Sequence, residues 1–305
     1  MKKIKLYKYL LSNPIASQRK MAEDLEISVG TINSLIKKGI LEKEIEVNEI
    51  SYREKEYILT SKAKELYQSF GKVQTAVILA AGEEKEFNFP RSFLMLEKES
   101  LLERHIKLLK VNNVKKIVVI VGQEIERYEE LKEKYNLIII KNELYKTTGT
   151  LYSLSLIKNY IKEDFILIEG DLIYQEVALK FLLIDTSYNS TIISEISDRS
   201  DNVYVNIENT NLTRISKDRY SLGNISGELV GISKISYLFF KDMLKELERN
   251  SNPLYFYEYA LERVSREKKL KCLLIPSLLW GEIDNKRQYN EAKKLYKKIR
   301  EREDD

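Results

Sequence analysis

The stretch Thr75 to Gly82, TAVILAAG, constrains this chain more than any other part of it. An apolar run that stops abruptly at Ala-Ala-Gly reads as a buried strand delivering a turn with almost no side-chain bulk. Ala80, Ala81 and Gly82 leave peptide N–H groups uncovered, so the backbone there can approach a phosphate or a base edge closely. Two aspartates lie far downstream: Asp171 in LIEGD, after the strand-like Phe165 to Glu169, and Asp284 in LLWGEIDN. At the carboxyl ends of strands in an open α/β sheet, all three elements would converge on one crevice. Taken alone, the same run also fits an ordinary first core strand.

A length of 305 residues exceeds what one hydrophobic core comfortably serves, so two domains are expected. The 51 basic and 47 acidic residues leave a net charge of only +4, which confines any nucleic-acid surface to a local patch. A single cysteine, Cys272, excludes an internal disulfide framework and a multi-cysteine metal site. No basic-then-apolar leader opens the sequence, and a cytoplasmic location is expected. No apolar run approaches the roughly 18 residues of a bilayer-spanning helix, so membrane insertion is not expected. The one histidine, His105, fits a surface or half-buried helical position better than a catalytic one.

The first 70 residues read as short amphipathic helices, Lys5 to Leu11, Gln18 to Leu25 and Val29 to Lys38, with Ser17 and Ser28 as N-caps and Gly39 as a stop. In SQRKMAEDLEISVGTINSLIKKGI, Ala22 allows close helix approach, Ile27 fills a turn, and Val29, Ile32, Leu35 and Ile36 face inward. Leu41 to Val47 and Glu54 to Leu59 can pair as a wing, with TSKAKELYQSF as a packing helix. Roughly residues 4 to 70 thus resemble the winged helix-turn-helix domains of bacterial transcription regulators. That resemblance implies DNA contact through Thr31, Asn33, Ser34 and Lys37, outward on the recognition helix. Residues 1–70 carry thirteen lysines and arginines against ten acidic residues, a weak electrostatic drive toward DNA. Homodimerisation or docking is the alternative role for such a module.

A short junction, Gly71 to Gln74, separates this domain (1–71) from the rest (72–305). Beyond it, apolar strands at Thr75 to Ala80, Ile117 to Val121, Leu137 to Lys141 and Phe165 to Glu169 interleave with helical patterns at Ser100 to Val111, Glu124 to Tyr135 and Thr150 to Tyr160. Continuously apolar strands alternating with helices predict a doubly wound, mainly parallel sheet covered on both faces. Later strands at Thr191 to Glu195, Val203 to Glu208, Leu212 to Ser216 and Leu229 to Ile235 give it a mixed edge. Helices are expected at Tyr237 to Leu247, Leu254 to Ser265 and Asn285 to Arg302.

Six ordered motifs, TAVILAAG, FPRSFLMLEKESLLERHI, TTGTLYSL, LIEGDLIY, GELVGISKIS and WGEID, together resemble the nucleotidyltransferases that activate small phosphorylated or phosphonylated alcohols and amines with CTP. The phosphocholine and 2-aminoethylphosphonate cytidylyltransferases are the branches in question, from about Val73 to about Tyr289. DNVYVNIEN, RISKDR and GELVGISKIS lean toward the aminoethylphosphonate branch. The resemblance implies a Rossmann-like nucleotidyltransferase fold and a Mg²⁺ ion held by Asp171 and Asp284, acceptor-only carboxylates suited to a hard cation. It places nucleotide on Ala80, Ala81 and Gly82, with Thr148, Gly149, Thr150 and Ser153 offering N–H groups and hydroxyls to base or ribose. Lys217 would meet the acceptor's anion, while Glu228, Tyr204 and Trp280, with Tyr152, would face its ammonium headgroup.

The sequence departs from that family at the phosphate loop. The usual Gly-x-Gly-x-Arg with a later Pro-Lys is here Gly82-Glu83-Glu84-Lys85 and Pro90-Arg91. Lys85 and Arg91 stand where the missing cations would act, and two glutamates add negative charge beside a polyphosphate. Two readings follow: a catalytic cytidylyltransferase, or a transcription regulator whose altered transferase domain senses nucleotide or headgroup without turnover.

Overall fold

The computed structural model describes residues 2–304 apart from 52–53, 71–72, 83–84 and 198–201. It divides into two compact units, residues 1–72 with 184–188, and residues 73–183 with 189–305.

In the smaller unit, helices Lys2–Ser12, Gln18–Leu25 and Val29–Leu41 precede an antiparallel hairpin, Ile45–Glu49 with Lys55–Leu59, and a helix Ser61–Phe70. Ser17 and Ser28 cap their helices by accepting from the backbone N–H of Lys20 and Thr31. Leu6, Tyr7, Leu10, Met21, Ile32 and Ile36 are buried together with Ile45 and Leu59. Three local expectations fail. The first wing strand is Ile45–Glu49 rather than Leu41 to Val47, because the third helix runs on through Leu41. Gly39 does not stop the third helix but lies inside it, where a Cβ would come within 2.6 Å of Ile45 Cδ1. The glycine is needed so that the first hairpin strand can approach. Val29 is 46% exposed, because the inward stripe of that helix runs through Ile32 and Ile36, one turn apart.

The larger unit is built on a sheet that has nine strands among the described residues. Its parallel centre runs Ile138–Lys141, Lys116–Val121, Thr75–Ala80, Phe165–Glu169, so the first and last of these four in chain order lie side by side. The antiparallel strand Gly227–Ile235 follows, then Tyr204–Glu208, Asn211–Ser216, Lys271–Leu274 and Ser190–Ser194. Alternate residues of the central strands feed opposite layers. Val77, Leu79, Val118, Ile120 and Leu167 meet Leu151, Phe239 and Leu261 of helices Thr150–Ser155, Tyr237–Arg249 and Tyr257–Ser265. Ala76, Ile78, Ile117, Val119 and Ile168 meet Ile106, Leu131 and Leu179 of helices Leu101–Val111, Glu129–Tyr135 and Glu176–Ile184. Each such fully buried aliphatic side chain contributes about 1.5–3 kcal/mol relative to exposure, which is why the strands read as continuous apolar runs.

A third apolar layer joins Leu94, Leu96, Leu101, Ile173 and Ile283 to Ala292, Tyr296 and Ile299 of the closing helix Lys286–Asp304. Short strands Leu172–Tyr174 and Trp280–Glu282 pair antiparallel beneath it, with Glu282 opposite Leu172. His105 is neither at the surface nor half-buried: it is 1% exposed, stacked on Tyr174 with ring centroids 5.4 Å apart. The helix Leu101–Val111 turns positions 101, 102, 105, 106 and 109 inward, and His105 shares that face.

Candidate active site

A cavity of about 1160 Å³ opens at the carboxyl ends of Thr75–Ala80 and Phe165–Glu169, where the strand order reverses. Gly170 N–H donates to Leu79 O at 2.8 Å, holding the two strand ends together. Ala81, Gly82, Arg91, Thr148, Gly149, Thr150, Ser153, Asp171, Lys217, Trp280 and Asp284 all line this space, so most of the residues selected from sequence converge.

One wall is acidic. Carboxylate oxygens of Glu169, Asp171 and Glu282 lie within 4.8 Å of one another, each residue half-buried. The strand pairing explains the meeting: Asp171 precedes Leu172, and Leu172 is opposite Glu282. Burial, reinforced by the charges of Glu258 and Asp171, pushes the Glu169 carboxyl up to about 8. Burial and the charges of Asp171, Glu169 and Asp284 hold Glu282 well above the usual carboxylate range. Glu258, further along the wall, is raised for the same first reason. Tyr257 donates its hydroxyl to Glu169 Oε1 at 2.5 Å. Gly231, at φ +84°, passes so close that a Cβ there would sit 2.6 Å from Glu169 Oε2. The site therefore concentrates like charge that a cation could relieve.

Arg91 crosses the mouth of this wall. Its Nη1 lies 3.2 Å from Asp171 Oδ2 and 2.5 Å from Asp284 Oδ1, and donates to Ile283 O at 3.2 Å. The two aspartates expected to share a metal thus share a guanidinium. Asp284 is not the cap of the closing helix: Asn285 Oδ1 accepts from Gln288 N at 3.0 Å, while Gln288 Oε1 accepts from Asp284 N at 2.7 Å.

Another stretch of the lining, around the start of the helix Thr150–Ser155, carries uncharged polar groups. Asn142 Nδ2 donates to Thr148 Oγ1 at 3.1 Å and to Ser153 Oγ at 2.9 Å, fixing both hydroxyls at the start of the helix Thr150–Ser155. Thr150 Oγ1 accepts from Tyr257 N at 2.9 Å. Gly149 tolerates no side chain, since a Cβ would lie 2.4 Å from Tyr255 O. Lys217 Nζ sits 5.0 Å from the centroid of Phe256, which also lines the cavity.

Several expected residues lie elsewhere. Glu228 is fully buried outside the cavity lining, where its carboxylate accepts from Ser197 N, Ser197 Oγ and Asn202 Nδ2 and serves the interior. Tyr204, opposite Glu228 in the sheet, is 8% exposed and also outside the lining. Ala80, Lys85 and Tyr152 do not line the cavity either; along the strand end Leu79 and Ala81 face it and the alternate Ala80 does not. Glu83 and Glu84 lie outside the described residues. Among the DNA-facing set, Ser34 and Lys37 are exposed, whereas Thr31 Oγ1 bonds Ser28 Oγ at 2.9 Å and Asn33 donates to Gln18 Oε1 at 3.0 Å. The sequence reading missed Glu169, Glu282, Glu258 and Phe256. The first two had a signal, each standing two residues before a selected aspartate at a strand end, where alternate side chains share a face.

Known proteins share this architecture. The inositol-1-phosphate CTP transferase from T. maritima superposes with a TM-score of 0.66 at 22% identity, covering 76% of this chain and 98% of that one. The CTP:phosphocholine cytidylyltransferase of Streptococcus pneumoniae does so at 0.59 and 18%, covering 73% and 99%. These likenesses define a nucleotidyltransferase fold. In sequence, the choline-phosphate cytidylyltransferase of Haemophilus influenzae is 27% identical over 203 residues, 63% of this chain and 84% of its own length. Residues 76–296 match the MobA-like NTP transferase domain, and the chain belongs to that family. No described helix is long and apolar enough to cross a membrane.

Proposed function

We propose that this chain is a Mg²⁺-dependent cytidylyltransferase that joins CTP to a small amine-bearing phosphonate or phosphoester, 2-aminoethylphosphonate or phosphocholine, with release of pyrophosphate. The observation that carries this reading is the meeting of Glu169, Asp171 and Glu282 in the cavity that also holds Gly82, Gly149 and Lys217. An all-oxygen carboxylate set suits Mg²⁺, and burial with neighbouring like charge raises the Glu169 carboxyl, a penalty that a bound cation would relieve. Glu169, Asp171 and Glu282 would hold the ion, with Asp284 joining once Arg91 turns away. Bound there, Mg²⁺ supplies charge neutralisation for the triphosphate and the attacking anion.

The chain's own residues do the rest. Bare backbone at Ala81 and Gly82 and the Gly149 turn admit the nucleotide closely. Lys217 attracts the acceptor's phosphate or phosphonate toward the α-phosphorus. Glu258, Phe256 and Trp280 offer the carboxylate and aromatic faces that suit an ammonium group, the role first expected of Glu228 and Tyr204. Pyrophosphate release should be measured for each nucleoside triphosphate against both acceptors, with and without Mg²⁺. Release confined to CTP and an amine-bearing acceptor supports the proposal. CTP binding without turnover under any pairing supports the sensing role instead.

The smaller unit adds a second reading, as a winged helix-turn-helix module that contacts DNA. Exposed Ser34 and Lys37 on a Ser28-capped helix favour it. Full-length protein should bind duplex DNA with salt-dependent affinity that falls in Lys37→Ala; indifference to salt and to that change assigns the unit to docking or dimerisation.

A further inference from the structure

The altered phosphate loop leaves a shortage of cations that the cavity resolves elsewhere. Gly82 is followed by Glu83-Glu84-Lys85 where the related loop carries a second glycine and an arginine, and Arg91 is engaged by Asp171 and Asp284. A triphosphate entering here needs positive charge from another element.

The closing helix Lys286–Asp304 provides it. Ala292, Tyr296 and Ile299 bury one face of this helix in the apolar layer. Arg287, Glu291, Lys294 and Lys298 fall within about 60° of its circumference, away from that face, at the helical 100° per residue. All four line the cavity that holds Gly82 and Arg91. Arg287 is matched by Glu291 at 3.0 Å. Lys294 and Lys298, both exposed, have no acidic partner among the described residues. One helical turn separates them, about 6 Å along the axis, a span that two flexible ammonium groups can close around neighbouring phosphates.

We propose that Lys294 and Lys298 bind the β- and γ-phosphates of the nucleotide, taking over from the closing helix the work that the loop after Gly82 no longer does. The inference rests on the CTP-dependent reading above and assigns the part of the cavity that receives the leaving pyrophosphate. Each lysine acts as a mobile point charge, so it can follow pyrophosphate as it departs.

The test compares affinities for CTP and CMP by titration calorimetry at fixed Mg²⁺ and ionic strength, for wild type, for Lys294→Gln with Lys298→Gln, and for Lys293→Gln with Lys297→Gln. The last pair removes the same charge from the same helix outside the cavity lining, and melting curves confirm that all three are folded. The expected result is CTP binding weakened about tenfold or more in the 294/298 variant alone, with CMP affinity unchanged. Unchanged CTP affinity in that variant, or an equal loss for CMP, overturns the assignment while leaving the cytidylyltransferase reading in place. Wild-type protein that binds neither nucleotide overturns both.

Discussion

The short strand Leu172–Tyr174 has a polar cluster at each end, and the two handle buried charge in opposite ways. At the Tyr174 end, Arg104 donates to Tyr174 O at 3.1 Å, pairs with Glu303 at 3.3 Å and lies 5.3 Å over the Tyr296 ring. His105 is held neutral beside it, its pKa driven down to about 3 by burial and then by the Arg104 charge. At the Leu172 end, Glu169, Asp171 and Glu282 crowd together, with Arg91 Nη1 3.2 Å from Asp171 Oδ2. A cluster built for stability matches its charges internally; one built for a ligand leaves the mismatch for the ligand to resolve.

The comparison breaks most visibly at Asp171. Asp171→Asn should lower Mg²⁺-dependent pyrophosphate release by on the order of 10² to 10³, while the ligand-free protein melts no lower than wild type because like-charge repulsion is relieved. A clear fall in melting temperature would instead assign Asp171 to the structural kind of cluster. Arg104→Met should do the reverse, costing about 1–3 kcal/mol in denaturant unfolding by removing the buried donor to Tyr174 O, with CTP affinity preserved.

His105 sharpens the contrast through pH. Its folded pKa lies below the ordinary value near 6.5, so the unfolded chain takes up a proton that the folded chain refuses. Its contribution is full above 6.5 and is lost as pH falls from 6.5 toward 3, at up to about 1.4 kcal/mol per pH unit. His105→Phe keeps the stacking on Tyr174 and should flatten that acid limb in urea midpoints taken at pH 7, 6 and 5. The smallest effect is expected at Gly231, where Ala would strain a positive φ and press on Glu169. About 1–2 kcal/mol of stability should be lost, with activity falling further than the fraction unfolded explains.

The architecture was largely legible in sequence because the central strands bury both faces and so carry no polar interruption. Ile117 to Val121 and Phe165 to Glu169 needed no tertiary information. The site was legible only where backbone rules reach. Asp171 and Gly82 follow from strand ends, and Gly149 from a helix start. Glu258 lies on a helix distant in sequence from the others, and only the packing of Tyr257–Ser265 beside Thr150 brings it to the cavity. Glu228 misleads for the complementary reason: a carboxylate that ties Ser197 and Asn202 looks, in one dimension, the same as one that meets an amine.

The closing helix is anchored at one end by the Asn285–Gln288 reciprocal cap beside Asp284, and at the other by Glu303 on Arg104. Between these anchors its apolar face belongs to the same layer as Ile173 and Ile283. Fraying from either end therefore cannot proceed far without detaching the strand Trp280–Glu282, and with it one member of the acid wall. The helix and the wall are expected to open together in local unfolding, and occupancy of the cavity should set how often this helix opens. Amide exchange along residues 288–300 becomes a readout of occupancy, slowing when the cavity fills even though the sheet beneath it is unchanged.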